Sequence, residues 1–147
     1  MVILMTMRTA RLLPVFGLAA LLANTDTERG IRALVEAYLD WVEQHPALAA
    51  FQFAMRHADF MQAVEPDLTR IQGEADDAAT DWFRARMLSG ELPNLTPDVL
   101  RAILYGPSAH FARQWTASQA DVSLASAKKL LASAAWKALV GLRAPRP

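Results

Sequence analysis

The fold is decided by residues 25–46, TDTERGIRALVEAYLDWVEQHP. Apolar residues recur there three or four positions apart, at Ile31, Leu34, Val35, Tyr38, Leu39 and Val42. This spacing puts them on one face of an amphipathic helix. Thr25 followed by Glu28 is typical of a capping box at the start of that helix, and the dipeptide His45-Pro46 marks its end. The stretch therefore predicts a helix with one buried face.

Two more helices are predicted downstream of this one. Residues 47–58 are almost entirely apolar, which is typical of a helix buried on most of its sides. The next helix is expected to begin at Pro66 and run to about Leu88, with Gly90 as its C-terminal stop.

Residues 96–140 predict the C-terminal helices of the fold. Thr96-Pro97 is a helix start with proline at the first helical position, and Gly106-Pro107 either kinks this helix or divides it in two. A last helix, capped by Asp121 or Ser123, runs to about Val140. No strand-like alternation occurs, so we predict an all-α bundle of about five to six helices.

Length, composition and charge limit what such a bundle does. The chain has 147 residues, which is about one domain, and its 53% hydrophobic content excludes a disordered protein. The absence of cysteine excludes disulfides and thiolate chemistry. Net charge is zero overall, yet residues 25–98 carry 14 acidic and 6 basic groups whereas residues 99–147 carry 1 and 7. Contact between these oppositely charged parts is expected, within one chain or between subunits.

The N-terminal residues 1–24 leave three interpretations open, one of which is a mis-assigned start, since Met5 or Met7 could equally begin the chain. An apolar run from Leu12 to Ala23 follows two arginines, as in a secretory signal, but Pro14 and Gly17 interrupt it and Leu21 fits a cleavage site poorly. The run is too short to cross a membrane. The remaining interpretation is an apolar helix docked on the domain. We therefore divide the chain into this segment, a helical domain over residues 25–142 and a tail over 143–147.

Motifs that would support catalysis are weak. The pair Ser126-x-x-Lys129 lacks the partner motifs of a serine–lysine nucleophile, and His57-x-Asp59 supplies only two metal ligands. Four carboxylates have the spacing of a solvated helix face: Glu74, Asp76, Asp77 and Asp81. We therefore predict a protein that is not an enzyme and that uses no metal or cofactor.

Aromatic and apolar side chains are more abundant than one small core needs. Two sites are predicted from them. The first is a pocket for a small hydrophobic ligand near the Gly106-Pro107 break, formed by Phe51, Met55, Trp82, Tyr105, His110 and Phe111. A well-filled core is the alternative explanation for the same residues. The second is a dimer interface on the Ala-rich last helix, formed by Leu124, Ala127, Leu131, Ala134 and Ala138.

Two segments of the sequence resemble the C-terminal domain of TetR-type transcriptional regulators. They are residues 34–51, LVEAYLDWVEQHPALAAF, and residues 90–115, GELPNLTPDVLRAILYGPSAHFARQW, which the Ala-rich helix follows. The resemblance covers roughly residues 28–140. It implies an effector pocket within the first helices. It also implies a homodimer in which helices at Pro97–Ser118 and Ser123–Val140 pack against their copies as a four-helix bundle.

The chain departs from the TetR pattern at its N-terminus. Only 27 residues precede Glu28, and they show no tight turn followed by a polar recognition helix, which a helix-turn-helix DNA-binding domain needs. We therefore expect a cytoplasmic effector-sensing and dimerisation domain that does not bind DNA by itself and does not enter membranes. The alternatives are a helical adaptor that pairs with a full-length relative, or an exported helical protein.

Overall fold

Six helices make up the fold of the described residues, and no strand occurs among them. The computed structural model describes residues 17–55, 66–118 and 120–145, with side chains everywhere except at residues 55 and 66–76. The helices are α1 (residues 17–22), α2 (Thr27–Gln44), α3 (Pro46–Met55), α4 (Pro66–Leu88), α5 (Pro97–Thr116) and α6 (Leu124–Gly141). The predicted all-α bundle of five to six helices is confirmed.

Most of the predicted helix ends are confirmed, with one correction. The N-cap of α2 is Asp26 rather than Thr25, because the Asp26 carboxylate accepts a hydrogen bond from the Arg29 backbone N–H at 2.8 Å. Glu28 therefore lies inside the first turn, where it pairs with Arg32 at 2.7 Å. At the end of α4, Gly90 has a φ of +80°, the left-handed conformation in which glycine is favoured.

The two open questions about α5 and α6 are resolved. α5 continues through Pro107 as one helix. The N-cap of α6 is Ser123, whose hydroxyl accepts a hydrogen bond from the Ser126 backbone N–H at 3.2 Å.

Helix α2 is the central element, because it contributes to both halves of the hydrophobic core. Ile31 and Leu34 belong to a first cluster that also contains Leu139, near the end of α6. Val42 belongs to a second cluster that contains Leu124, at the start of α6. The two helices therefore run antiparallel along their full length. All five of these side chains are at most 2% exposed.

Helix α1 is part of the first cluster. Leu18 and Leu21 are buried there, the latter completely, beside residues of α2 and the end of α4. Residues 17–22 therefore form an apolar helix docked on the domain, although the division proposed from the sequence begins the domain at residue 25. Residues 1–16 lie outside the described part of the chain.

The C-terminal end of α4 is held by close packing and polar contacts. Gly30 of α2 lies so close to Trp82 that a Cβ atom there would be 2.7 Å from the indole Cζ2. The indole N–H donates to the carbonyl of Asn24 at 3.2 Å, and the Arg86 guanidinium lies 3.5 Å from the indole ring centroid. Trp82 is thus fixed on several sides and serves as an anchor between α4 and the start of α2.

Polar contacts link this anchor to the α4–α5 loop. Arg86 donates to the Thr25 carbonyl at 2.9 Å and to the Thr27 hydroxyl at 3.2 Å. The Thr27 hydroxyl in turn donates to the Glu91 carboxylate, which also accepts from the Ser89 hydroxyl at 3.0 Å. These hydrogen bonds, with the Thr27 contribution the largest, hold the pKa of Glu91 below its ordinary value.

An ion pair joins the basic end of the chain to its acidic middle. Lys128 of α6 contacts the Asp40 carboxylate of α2 and lies 3.6 Å from the Glu43 carboxylate. The hydrogen bond to Asp40 raises the pKa of Lys128. This is an intramolecular contact of the kind that the uneven charge distribution predicts.

Candidate functional site

A groove lies between α3 and the last turns of α5. Its volume is about 300 Å³, and it is lined by Ala50, Phe53, Ala54, Arg113, Thr116 and Ala117. Small-molecule sites in proteins are concave, mostly apolar and begin at about this size. The groove is open to solvent along one side, because Ala54, Arg113 and Ala117 are exposed. It therefore offers a surface for a small molecule rather than a closed cavity.

The two polar side chains of the groove, Thr116 and Arg113, differ in their availability to a ligand. The Thr116 hydroxyl donates to the Arg113 carbonyl at 3.0 Å, so it is already engaged in a hydrogen bond within α5. The Arg113 guanidinium lies 5.8 Å from the centroid of the Phe53 ring, within the range of a cation–π contact. Among the described residues, no carboxylate lies within 4.0 Å of this guanidinium. Arg113 is thus the polar group of the groove that is available to a ligand.

Phe51, which is predicted as a pocket residue, is not among the residues that line this groove, although it belongs to the same helix α3. It is 42% exposed, on the same side of α3 as Ala47 and Ala54, which are also exposed. The expectation that α3 is buried on most sides is therefore wrong for this face, because α2 and α5 cover only the opposite side. The side chain of Met55 lies outside the described residues, as do His57 and Asp59.

The other predicted pocket residues are dispersed. Trp82 is buried in the first cluster as the anchor of α4. Tyr105 packs edge-on against Tyr38, with ring centroids 5.7 Å apart. Phe111 packs against the second cluster, whereas His110 is exposed on α5. The structure therefore does not bring the five predicted residues with described side chains together into one pocket, and three of them, Trp82, Tyr105 and Phe111, belong to the core or its edges.

The predicted interface residues of α6 fall into two groups. Leu124 and Ala127 are buried within the chain, and Leu131 packs against the second cluster. Ala134 and Ala138 are exposed. The predicted stripe thus straddles two faces of α6, because the side that packs on α2 is apolar as well.

An outward face of α6 is formed by Leu130, Ala134 and Ala138, which recur every four residues. Leu130 is 69% exposed, and sequence analysis did not single it out. On the neighbouring helix α5, Val99 is 47% exposed and Ala102 is exposed. The last two helices therefore keep apolar side chains on their outer surfaces.

The groove residues Arg113, Phe53 and Thr116 were also missed by sequence analysis. Arg113 and Thr116 are three positions apart in α5, so they share a face, and Phe53 lies on the apolar helix α3. The sequence pattern shows both the shared face of Arg113 and Thr116 and the position of Phe53. It does not show that α3 packs beside the last turns of α5, and the groove depends on that contact.

The weaker motifs form no second site among the residues whose side chains are described. Ser126 and Lys129 are exposed on α6, and the Ser126 hydroxyl lies 2.8 Å from that of Ser123. Asp77 and Asp81 are exposed as expected, and the side chains of Glu74 and Asp76 lie outside the described residues. Within residues 17–55, 66–118 and 120–145, no group of three metal-ligating side chains occurs. No helix in that part of the chain is both long and apolar enough to cross a membrane.

Comparison with known proteins yields no identification. The sequence matches no family model and no curated protein.

Proposed function

We propose that this chain is the effector-sensing and dimerisation domain of a TetR-type regulator, without enzymatic activity. The observation that carries the proposal is the outward face of α6, Leu130, Ala134 and Ala138, on the terminal helix of an all-α bundle. Exposed apolar surface of this kind is where proteins associate. The resemblance to TetR-type regulators attributes dimerisation to the last two helices, here α5 and α6.

The shape of the α6 face supports self-association. Alanine at positions 134 and 138 allows the backbone of a second helix to approach closely, and Leu130 supplies the larger apolar contact. A two-fold symmetric interface would bring each α6 face against its copy, and such dimers are the commonest assemblies of identical chains. Val99 and Ala102 are also apolar and exposed, and they lie on α5, the second helix that the resemblance assigns to the dimer.

The groove between α3 and α5 supports the sensing part of the proposal. It lies at the end of α5 where α3 packs, so a ligand there would contact a helix of the proposed interface directly. A ligand that binds one arrangement of α3 and α5 better than another shifts the population toward that arrangement. In this proposal, effector binding and dimerisation would both involve helix α5.

The oligomeric state tests the proposal. We expect light scattering coupled to size-exclusion chromatography to give a dimer at micromolar concentration, and Ala134→Arg to give a monomer. An arginine at the centre of the interface would be buried without a partner, which costs about 3–5 kcal/mol. Ala134 is exposed in the single chain, so this variant should keep its helical circular dichroism, and its melting temperature should no longer rise with protein concentration.

Ala125→Arg is the matched control, because Ala125 is exposed on α6 away from the Leu130–Ala138 face. This variant should remain a dimer. A wild-type monomer at micromolar concentration would contradict the proposal. Mixed dimers with a TetR-type protein from the same source, formed in preference to homodimers, would instead indicate the adaptor function.

A further inference from the structure

The groove between α3 and α5 combines an apolar floor with one cationic group. Of its six lining residues, Arg113 is the one that carries a charge. Its guanidinium faces the Phe53 ring at 5.8 Å, and no described carboxylate neutralises it. A guanidinium presents five N–H donors in a planar fork, which matches the two oxygens of a carboxylate. The charge of the groove is therefore complementary to an anionic group.

Apolar surface continues from the groove along α3. Ala50 and Ala54 line the groove, and Phe51 lies between them in the chain on the exposed side of the helix. The apolar body of a ligand whose anionic end is held at Arg113 would cover this surface. Burying it from water favours binding.

From this arrangement we infer that the groove binds an anionic amphiphile, a carboxylate attached to an aliphatic or aromatic body, with Arg113 holding the carboxylate. The inference names the ligand class for the sensing part of the proposed function and rests on it. A neutral apolar molecule would gain no ion pair with Arg113, and a cationic one would be repelled by the guanidinium.

Three probes with the same alkyl chain length separate charge from apolarity: decanoate, decan-1-ol and decyltrimethylammonium, the two ions below their micellar concentrations and the alcohol below its solubility limit. We expect calorimetric titration of the full chain at pH 7.5 to show decanoate binding most tightly. Arg113→Gln should weaken decanoate binding by up to about fivefold, as expected for an exposed charge pair, and leave decan-1-ol binding unchanged. Arg113 is exposed, so the variant should fold normally.

Two further variants make the test specific. Arg101→Gln, at an exposed arginine of α5 outside the groove, should bind decanoate like the wild type. Ala54→Trp, which fills the groove from an exposed position, should abolish binding of both decanoate and decan-1-ol.

Each other outcome has a definite meaning. Equal binding of decanoate and decan-1-ol, lost in Ala54→Trp but unchanged in Arg113→Gln, overturns the anion inference and leaves the effector-sensing function standing. Decanoate binding that neither variant affects places the ligand elsewhere, and no binding of any probe removes the inference. Loss of the dimer in Ala54→Trp shows that a second copy of the chain occupies the groove, which also overturns it. The Ala134→Arg experiment judges dimerisation independently.

Discussion

Replacing Gly30 by alanine tests whether the contact between α2 and α4 is as close as the structure shows. A Cβ atom at residue 30 would lie 2.7 Å from Cζ2 and 3.1 Å from Cη2 of the Trp82 indole, and 3.4 Å from a methyl carbon of Leu21. The indole has little freedom to move away, because it is buried, donates a hydrogen bond to Asn24 and is stacked by Arg86. The added methyl group should therefore destabilise the domain.

Two opposing effects set the size of this change. Alanine in a helix interior is more favourable than glycine by about 0.8–1.0 kcal/mol. Overpacking a core by a methyl group costs about 1–3 kcal/mol. The net expectation is a loss of about 1 kcal/mol in the free energy of unfolding, which lowers the melting temperature of a domain this size by about 2–4 °C.

Urea unfolding followed by circular dichroism measures the effect, and the decisive comparison uses the double variant that combines Gly30→Ala with Trp82→Phe. Trp82→Phe removes the ring atoms that the new methyl group meets, so Gly30→Ala should cost less in that background, with a coupling of about 1 kcal/mol. Gly141→Ala is the control, since a Cβ atom there meets nothing within 4 Å and should not reduce stability. A Gly30→Ala protein more stable than wild type by its full helix preference would refute the close contact.

Three further outcomes follow from the polar contacts and the charge. Glu91→Gln should lower the melting temperature at pH 7. The pKa of Glu91 is lowered in the folded state, so its ionised carboxylate stabilises the fold above the ordinary pKa and ceases to do so once it is protonated. The difference in melting temperature from wild type should therefore disappear as the pH falls below 4.5. Constant destabilisation down to pH 2 would contradict this. Lys128→Gln should cost up to about 1 kcal/mol at neutral pH, less in high salt, whereas Lys129→Gln at an exposed position should cost nothing measurable. Since the pKa of Lys128 is raised above 10.5, its stabilising effect should persist through neutral pH and be lost only as the pH rises through that elevated value; loss already at pH 8 would be inconsistent with it. Finally, a mobility-shift assay should show no specific complex between this chain and duplex DNA at about 150 mM salt, because the net charge is zero; a complex that resists competitor DNA would disprove this expectation.

The sequence by itself determined the helices and where most of them end. The apolar period of α2 and the local signals at His45-Pro46, Thr96-Pro97 and Gly90 act within a few residues of each other, so they are visible without knowledge of the fold. The exception is the start of α2, where Thr25 and Asp26 are both good capping residues. In the structure Asp26 caps the helix, whereas Thr25 and Thr27 take part in the tertiary contacts of Arg86 and Glu91.

Only the tertiary structure decided which apolar residues are core and which are surface. Trp82 and Phe51 are both large aromatic residues on predicted helices, yet one is an anchor in the core and the other is 42% exposed. Burial depends on which helix packs against each face, and that is a property of contacts between residues far apart in the chain. The groove at Arg113 arises in the same way, because α3 and the last turns of α5 are about sixty residues apart in sequence and meet only in the folded domain.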